Sequence, residues 1–145
     1  MNLYFDTAYI AKCYFNEPGA AKIRQLARQA SSLNSSALCI AELACVIHRN
    51  LRERSVSPAQ ASRVRDQLAE DMQNEVWRLI PMTNRLLQRV DSLVRGLPVD
   101  CFLRSGDAIH LTSAIDAGFQ EIWTNDRHLL EAASRVGIRG RSMPG

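Results

Sequence analysis

The sequence lacks any long hydrophobic run. No apolar stretch among its 145 residues approaches the roughly 20 residues that a membrane-spanning helix requires. Its first residues also lack the basic region followed by an apolar core that is typical of a secretory signal, because Asp6 interrupts them. We therefore expect a cytoplasmic protein with no membrane segment.

Cysteines spaced for a metal or a redox pair are absent as well. The four cysteines never form a C-x-x-C pair, so neither a zinc site nor a disulfide framework is indicated. Each lies in or beside an apolar helical pattern, where a small hydrophobic residue is expected to pack into the core. They are Cys13, Cys39, Cys45 and Cys101.

Lysine is rare, and almost every cation is an arginine. The net charge is only +3, which alone is weak support for a nucleic-acid ligand. Arginine is nevertheless the better partner for phosphate oxygens, because its planar group can donate two parallel hydrogen bonds. The segment after Asp126 carries four arginines, and as a set they favour a phosphate-bearing ligand nearby. These are Arg127, Arg135, Arg139 and Arg141.

Hydrophobic periodicity predicts short strands that alternate with helices. We expect strands at residues 1–5, 33–35, 76–80 and 121–124, with an edge strand from Ile138. Helices are predicted at residues 7–15, 17–31, 37–54, 58–74, 84–95, 106–117 and 126–136. Because parallel strands need crossover helices, this order predicts an α/β fold with a small parallel sheet flanked by helices on both faces. The length suits one domain over residues 1–145.

Two acids follow predicted strands. Asp6 ends the opening apolar run, and Asp126 comes directly after the strand that contains Trp123. The carboxyl ends of strands in open α/β sheets are where ligands bind. Taken alone, Asp126 is better explained as the N-cap of the next helix.

Two further acids lie in apolar helical segments. Glu42 interrupts a run from Ala37 to Ile47 that is apolar on every side, so we expect a buried helix. An unpaired buried carboxylate costs several kcal/mol, so Glu42 needs a cation or a polar cleft. Asp107 stands near the start of its helix, where interaction with the helix dipole is an alternative explanation.

A shared function explains all four acids better than four separate structural roles. Hard oxygen ligands that converge in one place select Mg²⁺ or Mn²⁺ over zinc or copper. Such ions activate water and stabilise phosphoryl transition states. The pattern therefore favours the cleavage of phosphodiester bonds.

Four short motifs carry a resemblance to a known family. They are Leu3–Thr7 (LYFDT), Ala41–Leu43 (AEL), Leu103–Leu111 (LRSGDAIHL), and Thr124–Asp126 (TND) with Leu129 after it. In order and spacing the sequence resembles the PIN domain over nearly the whole chain. Within that superfamily it is most similar to the VapC-type ribonuclease toxins of bacterial toxin-antitoxin modules.

The resemblance implies a PIN-like α/β/α sandwich and a metal-dependent endoribonuclease, which hydrolyses RNA phosphodiester bonds with a metal-activated water. It assigns Mg²⁺ as the cofactor, with Mn²⁺ as a substitute. The implied catalytic and metal-binding residues are Asp6, Glu42, Asp107 and Asp126. Thr7 and Thr124 match the family's hydroxyl residues beside the first and last acids and would support them.

The implied partners are RNA, a cognate antitoxin protein that reaches the acids with a basic side chain, and a second copy of the chain in a homodimer. The main alternative is a catalytically idle PIN-fold module that binds RNA or protein. An aspartyl-phosphate phosphatase is disfavoured because Ala8 occupies the position of its second aspartate.

Several other residues receive structural interpretations. His110 is expected to be partly buried and satisfied by a backbone acceptor, because hard Mg²⁺ prefers oxygen ligands. Asp116 is interpreted as a solvated residue near a helix end. Trp77 and Trp123 lie in predicted strands, so both are expected in the core.

Overall fold

Strands and helices alternate along the chain in the computed structural model, which describes residues 1–144. The strands are β1 (Asn2–Tyr4), β2 (Ser32–Ser36), β3 (Trp77–Ile80), β4 (Glu121–Trp123) and β5 (Arg139–Arg141). The helices are α1 (Thr7–Lys12), α2 (Ala20–Gln29), α3 (Cys39–Arg52), α4 (Pro58–Gln73), α5 (Asn84–Arg95), α6 (Ser105–Asp116) and α7 (Arg127–Arg135). None of these helices combines the length and the apolar character that a bilayer span needs.

All strand pairs are parallel, as predicted. β2 lies between β1 and β3, and β4 pairs with β5. A parallel bridge between Phe5 and Trp123 joins the two groups, and the Asp6 N–H donates to the Trp123 carbonyl at 3.1 Å. The spatial order is therefore β3-β2-β1-β4-β5, and the direction of strand addition reverses at β1.

The sheet separates two hydrophobic cores, because side chains alternate along each strand. Leu3 and Phe5 face the first core, which α1 to α4 cover, whereas Tyr4 faces the second core. Leu111 of α6 and Leu129 of α7 are fully buried in that second core. This arrangement confirms the predicted sandwich with helices on both faces. Trp77 and Trp123 are buried, as expected.

Helices α4 and α5 begin at the predicted residues, and a side chain caps each of them. Ser57 and Thr83 accept hydrogen bonds from Gln60 N and Leu86 N, both at 3.1 Å. The prediction that α2 starts at Glu17 and Pro18 is wrong, because Gly19 precedes the helix in the left-handed region with φ +80°. The chain turns there, so α2 begins at Ala20.

Helix α3 is not buried on every side, which corrects the sequence prediction. Cys39, Leu43 and Ile47 are buried on the face that packs on the first core. Ile40 in the first turn of this helix is nevertheless 58% exposed, and Cys45 is exposed as well. The apolar run thus covers one face of the core and also forms part of the surface. The prediction that every cysteine is a core residue is wrong for Cys45.

Candidate active site

The first and last predicted acids emerge side by side. Asp6 follows β1 and Asp126 follows β4, and these strands are neighbours through the bridge between Phe5 and Trp123. Strand order reverses at this point, which is where open parallel sheets form a ligand crevice. The sheet topology therefore brings together two acids that lie far apart in the sequence.

Both acids also cap the helices that follow them. Asp6 Oδ1 accepts from Tyr9 N at 2.9 Å, and Asp126 Oδ1 accepts from His128 N at 2.8 Å and from Leu129 N at 3.1 Å. These bonds fix the carboxylates at the edge of the sheet. The capping role suggested for Asp126 is thus correct, and it leaves the second oxygen, Oδ2, free for another partner.

The other two acids lie in the first turns of α3 and α6, at Glu42 and Asp107. Both helix starts face the carboxyl edge of the sheet, and the four acids line one open cavity of about 580 Å³. Glu42 thereby reaches the polar cleft that its burial requires. Also lining the cavity are Thr7, Arg104, His110 and Asn125.

His110 is held by side chains and not by the backbone acceptor that we expected. Its ring is 2% exposed, with Nδ1 at 2.9 Å from the Tyr4 hydroxyl and Nε2 at 2.7 Å from Glu42 Oε1. The Thr7 hydroxyl donates to the same Glu42 oxygen at 2.6 Å. Nε2–H donates to Glu42 Oε1, and the Tyr4 hydroxyl is the hydrogen-bond partner of Nδ1. The D-x-x-H spacing from Asp107 was the only sequence signal for this arrangement.

Arg104 brings a cation into the acidic cavity. Its Nε donates to Asp107 Oδ2 at 3.3 Å, and its Nη2 donates to Asp126 Oδ2 at 3.0 Å. The arginine side chain is 63% exposed, so these ion pairs are partly screened by solvent. Sequence analysis assigned no role to Arg104, although its position three residues before Asp107 allows this contact.

Burial disfavours the ionised form of Asp6. Burial raises the pKa of the Asp6 carboxyl above its ordinary value. The Thr124 hydroxyl and the Tyr9 N–H lower it, as does the charge of His110, but less than burial raises it. The nearby Asp107 adds a further increase. A positive charge in the cavity would therefore favour the ionised form of Asp6.

The pKa of Asp107 is shifted in the same direction as that of Asp6. Burial raises the pKa of Asp107, the charge of Asp126 adds to that increase, and Arg104 offsets only part of it. Two carboxylates that repel each other across a short distance respond in this way.

The pKa of Glu42 is shifted in the opposite direction. Burial raises the pKa of Glu42, but the hydrogen bonds from His110 and Thr7, together with the charges of His110 and Arg104, outweigh it and hold the pKa below the ordinary value. The Glu42 carboxyl is therefore ionised across the neutral range. The cavity thus contains one acid whose pKa is lowered and two acids whose pKa values are raised.

The donor set fits a hard divalent cation in chemistry and charge. It consists of carboxylate oxygens. Burial raises the pKa values of Asp6 and Asp107, and a cation beside them would favour their ionised forms. Across residues 1–144, no three Asp, Glu, His or Cys side chains already stand in a metal-binding arrangement. Arg104 instead pairs with two of the acids.

The supporting residues and the arginine set can also be placed. Thr124 Oγ1 accepts from Asp126 N at 3.0 Å, so it fixes the backbone at the last acid.

Three of the four arginines after Asp126 pair with glutamates. Arg135 contacts Glu131, and both Arg139 and Arg141 contact Glu121. Arg127 makes no ion pair within residues 1–144. Asp116 is exposed at the end of α6, as expected, and pairs there with Arg89.

The architecture is that of a parallel α/β sandwich with an acidic cavity at the strand ends. The PIN domain family model matches residues 3–135. The chain therefore belongs to the PIN domain family.

Solved structures support the fold. The chain is similar to FitAcB from Neisseria gonorrhoeae at 14% identity, with 97% of this chain and 96% of that chain covered and a TM-score of 0.70. It is also similar to VapC20 from Mycobacterium tuberculosis, described as a toxin that cleaves the sarcin-ricin loop, at 19% identity, with 94% and 98% covered and a TM-score of 0.69. VapBC2 from Rickettsia felis, solved with a promoter DNA fragment, is 14% identical with 98% of each chain covered and a TM-score of 0.64. No curated protein matches the chain.

Proposed function

We propose that this protein is a metal-dependent endoribonuclease and the toxin of a type II toxin-antitoxin module. One observation carries the proposal: four carboxylates from four separate segments line a single cavity at the carboxyl edge of the sheet. The match to the PIN domain family supports this reading of the cavity.

The four acids Asp6, Glu42, Asp107 and Asp126 would hold the metal, and Mg²⁺ or Mn²⁺ would suit their oxygen donors. Such an ion supplies Lewis-acid activation of a phosphate and lowers the pKa of a coordinated water. It would also favour the ionised forms of Asp6 and Asp107, whose pKa values are raised in its absence.

The contribution of Glu42 follows from its contacts. His110 and Thr7 both bind Oε1, so the carboxylate is fixed and its other oxygen, Oε2, makes no protein hydrogen bond within residues 1–144. We assign to Oε2 the task of accepting a hydrogen bond from the attacking water. The Tyr4 contact to His110 Nδ1 keeps the imidazole oriented for this purpose.

Arg104 would neutralise charge on the RNA backbone. Its guanidinium lies among the acids but is largely exposed, so it can turn toward a phosphate oxygen that enters the cavity. A positive group beside the developing charge of the transition state lowers the barrier. In this proposal, Asp6 and Asp107 would bind the metal, and Arg104 would bind the substrate.

The experiment is RNA cleavage with Mg²⁺ or Mn²⁺ by the purified protein and by Asp6→Asn and Asp107→Asn. We expect each change to lower the cleavage rate by roughly 100-fold or more, as loss of one electrostatic partner of a transition state does. Asp116→Asn is the matched control, since this acid lies on the same helix as Asp107 but pairs with Arg89 away from the cavity. Full activity in both site variants would refute the assignment.

An idle binding module is the second candidate, and one observation favours it. Arg104 forms ion pairs with Asp107 and Asp126, so a cation of the chain itself already contacts two of the four acids. If the protein is such a module, the wild-type protein binds RNA or protein but releases no cleavage product with either ion.

An antitoxin and a homodimer are further parts of the proposal. The contacts of Arg104 support the antitoxin, because they place a guanidinium group between two acids of the cavity, as a basic side chain of an antitoxin would be placed. The exposed Ile40 side of α3 supports a protein contact surface. Solution mass at micromolar concentration tests the dimer, and a monomer there would contradict it. Co-purification with the product of an adjacent gene tests the antitoxin.

A further inference from the structure

An exposed aromatic ring lies beside the acidic cavity and belongs to neither core. Phe102 is 53% exposed and stands in the loop between α5 and α6. Its neighbours Cys101 and Leu103 pack against the second core, so Phe102 is the residue of this segment that points outward.

The ring is paired with an imidazole. The centroids of Phe102 and His128 are 4.5 Å apart with an interplanar angle of 50°. His128 is the second residue of α7, and its N–H donates to Asp126 in the cavity. The aromatic pair therefore borders the Asp126 side of the cavity.

Cations surround the pair. Arg104, two residues after Phe102, reaches into the cavity and contacts Asp126. Arg127 directly precedes His128, is exposed and makes no ion pair within residues 1–144. An aromatic face next to exposed arginines is the arrangement that binds unpaired nucleotides, because bases stack on the ring while arginines contact phosphates.

We propose that Phe102, supported by His128, is a stacking platform for one base of single-stranded RNA next to the bond that is cut. This inference rests on the proposed function for the identity of the substrate and assigns a role to residues outside the acid set. The two neighbouring arginines, Arg104 and Arg127, favour a polyanion over a protein segment at this position. Arg127 would contact a phosphate on the same strand.

Binding must be measured apart from cleavage. We would titrate the full chain into a short fluorescein-labelled single-stranded RNA in EDTA and follow anisotropy. Phe102→Ala and Phe102→Leu should each weaken binding by about 5- to 150-fold, the range for losing one base-aromatic stack. Phe102→Trp should restore wild-type affinity. Val99→Ala is the matched control, because Val99 is the fully exposed apolar residue of the same loop.

Phe102→Leu keeps apolar volume without a π face and therefore separates stacking from loop packing. A lower melting temperature with unchanged RNA affinity would mean that the ring only anchors the loop, and the platform would be refuted. The same conclusion follows if the wild-type protein does not bind the RNA, or if only affinity for a protein partner changes. Loss of binding in Phe102→Ala without any cleavage by the wild type would support the platform and contradict the nuclease, so the two proposals fail separately.

Discussion

Gly106 offers a way to displace one acid without removing it. A Cβ atom at this position would lie 2.9 Å from Glu42 Oε2, so the carboxylate must move by roughly 0.5 Å to reach ordinary contact distance. It cannot move freely, because His110 and Thr7 hold its other oxygen at 2.7 and 2.6 Å. Gly106→Ala therefore moves the oxygen that we assign to the attacking water.

The expected loss follows from this displacement. Misplacing a catalytic group by about 1 Å can cost on the order of 100-fold in rate, so half of that shift predicts about a 10-fold lower kcat/KM for RNA cleavage. Stability should not fall, because Gly106 is the second residue of α6 and alanine is favoured over glycine in helices by up to about 1 kcal/mol. The assay is cleavage kinetics with Mg²⁺ beside thermal unfolding of the same samples.

Gly96→Ala is the matched control. A Cβ there would meet the Leu93 carbonyl at 3.4 Å, an ordinary contact, and Gly96 ends α5 with a φ of −81° that alanine adopts readily. We expect unchanged cleavage in this variant. Wild-type kcat/KM in Gly106→Ala, or an equal loss in Gly96→Ala, would refute the reasoning.

Three further predictions follow from the charges in the cavity. Asp6→Asn should raise the melting temperature at pH 7 without metal, because burial raises the pKa of Asp6 and thus disfavours its ionised form. This increase in melting temperature should vanish at acid pH, where the aspartate is already neutral. An increase that persists at acid pH would contradict this cause. His110→Phe should raise the pKa of Glu42, because His110 lowers that pKa in the native protein. The acid limb of the pH-rate profile should therefore move to higher pH. An unchanged acid limb would exclude this effect of His110 on Glu42. Arg104→Ala should tighten Mn²⁺ binding in calorimetry by about 2- to 5-fold, since exposed ion pairs contribute about 0.2–1 kcal/mol, whereas Arg95→Ala, which breaks a remote pair with Asp91, should have no effect.

Local sequence signals predicted much of this fold because they act over a few residues. The caps at Ser57 and Thr83 formed as expected, and the apolar runs before Asp6 and Asp126 are strands. Their parallel pairing then followed from the alternation of strands and helices. The start of α2 was missed because a left-handed Gly19 leaves no distinct pattern in the sequence.

Long-range contacts account for the other errors. Whether the outer side of α3 is covered depends on which elements pack there, so Ile40 and Cys45 could not be placed from periodicity. The same holds for His110, whose partners Tyr4 and Glu42 lie far away in the sequence. Arg104 was overlooked because a charged residue in a loop is normally solvated.

The bridge between Phe5 and Trp123 has a consequence for biosynthesis. It aligns Asp6, near the start of the region that matches the PIN family, with Asp126, near the end of that region. Until β4 has been translated and paired with β1, a nascent chain cannot bring these two carboxylates together. If the protein is a ribonuclease, the ribosome that makes it is thus protected from an active product until synthesis of the catalytic region is complete.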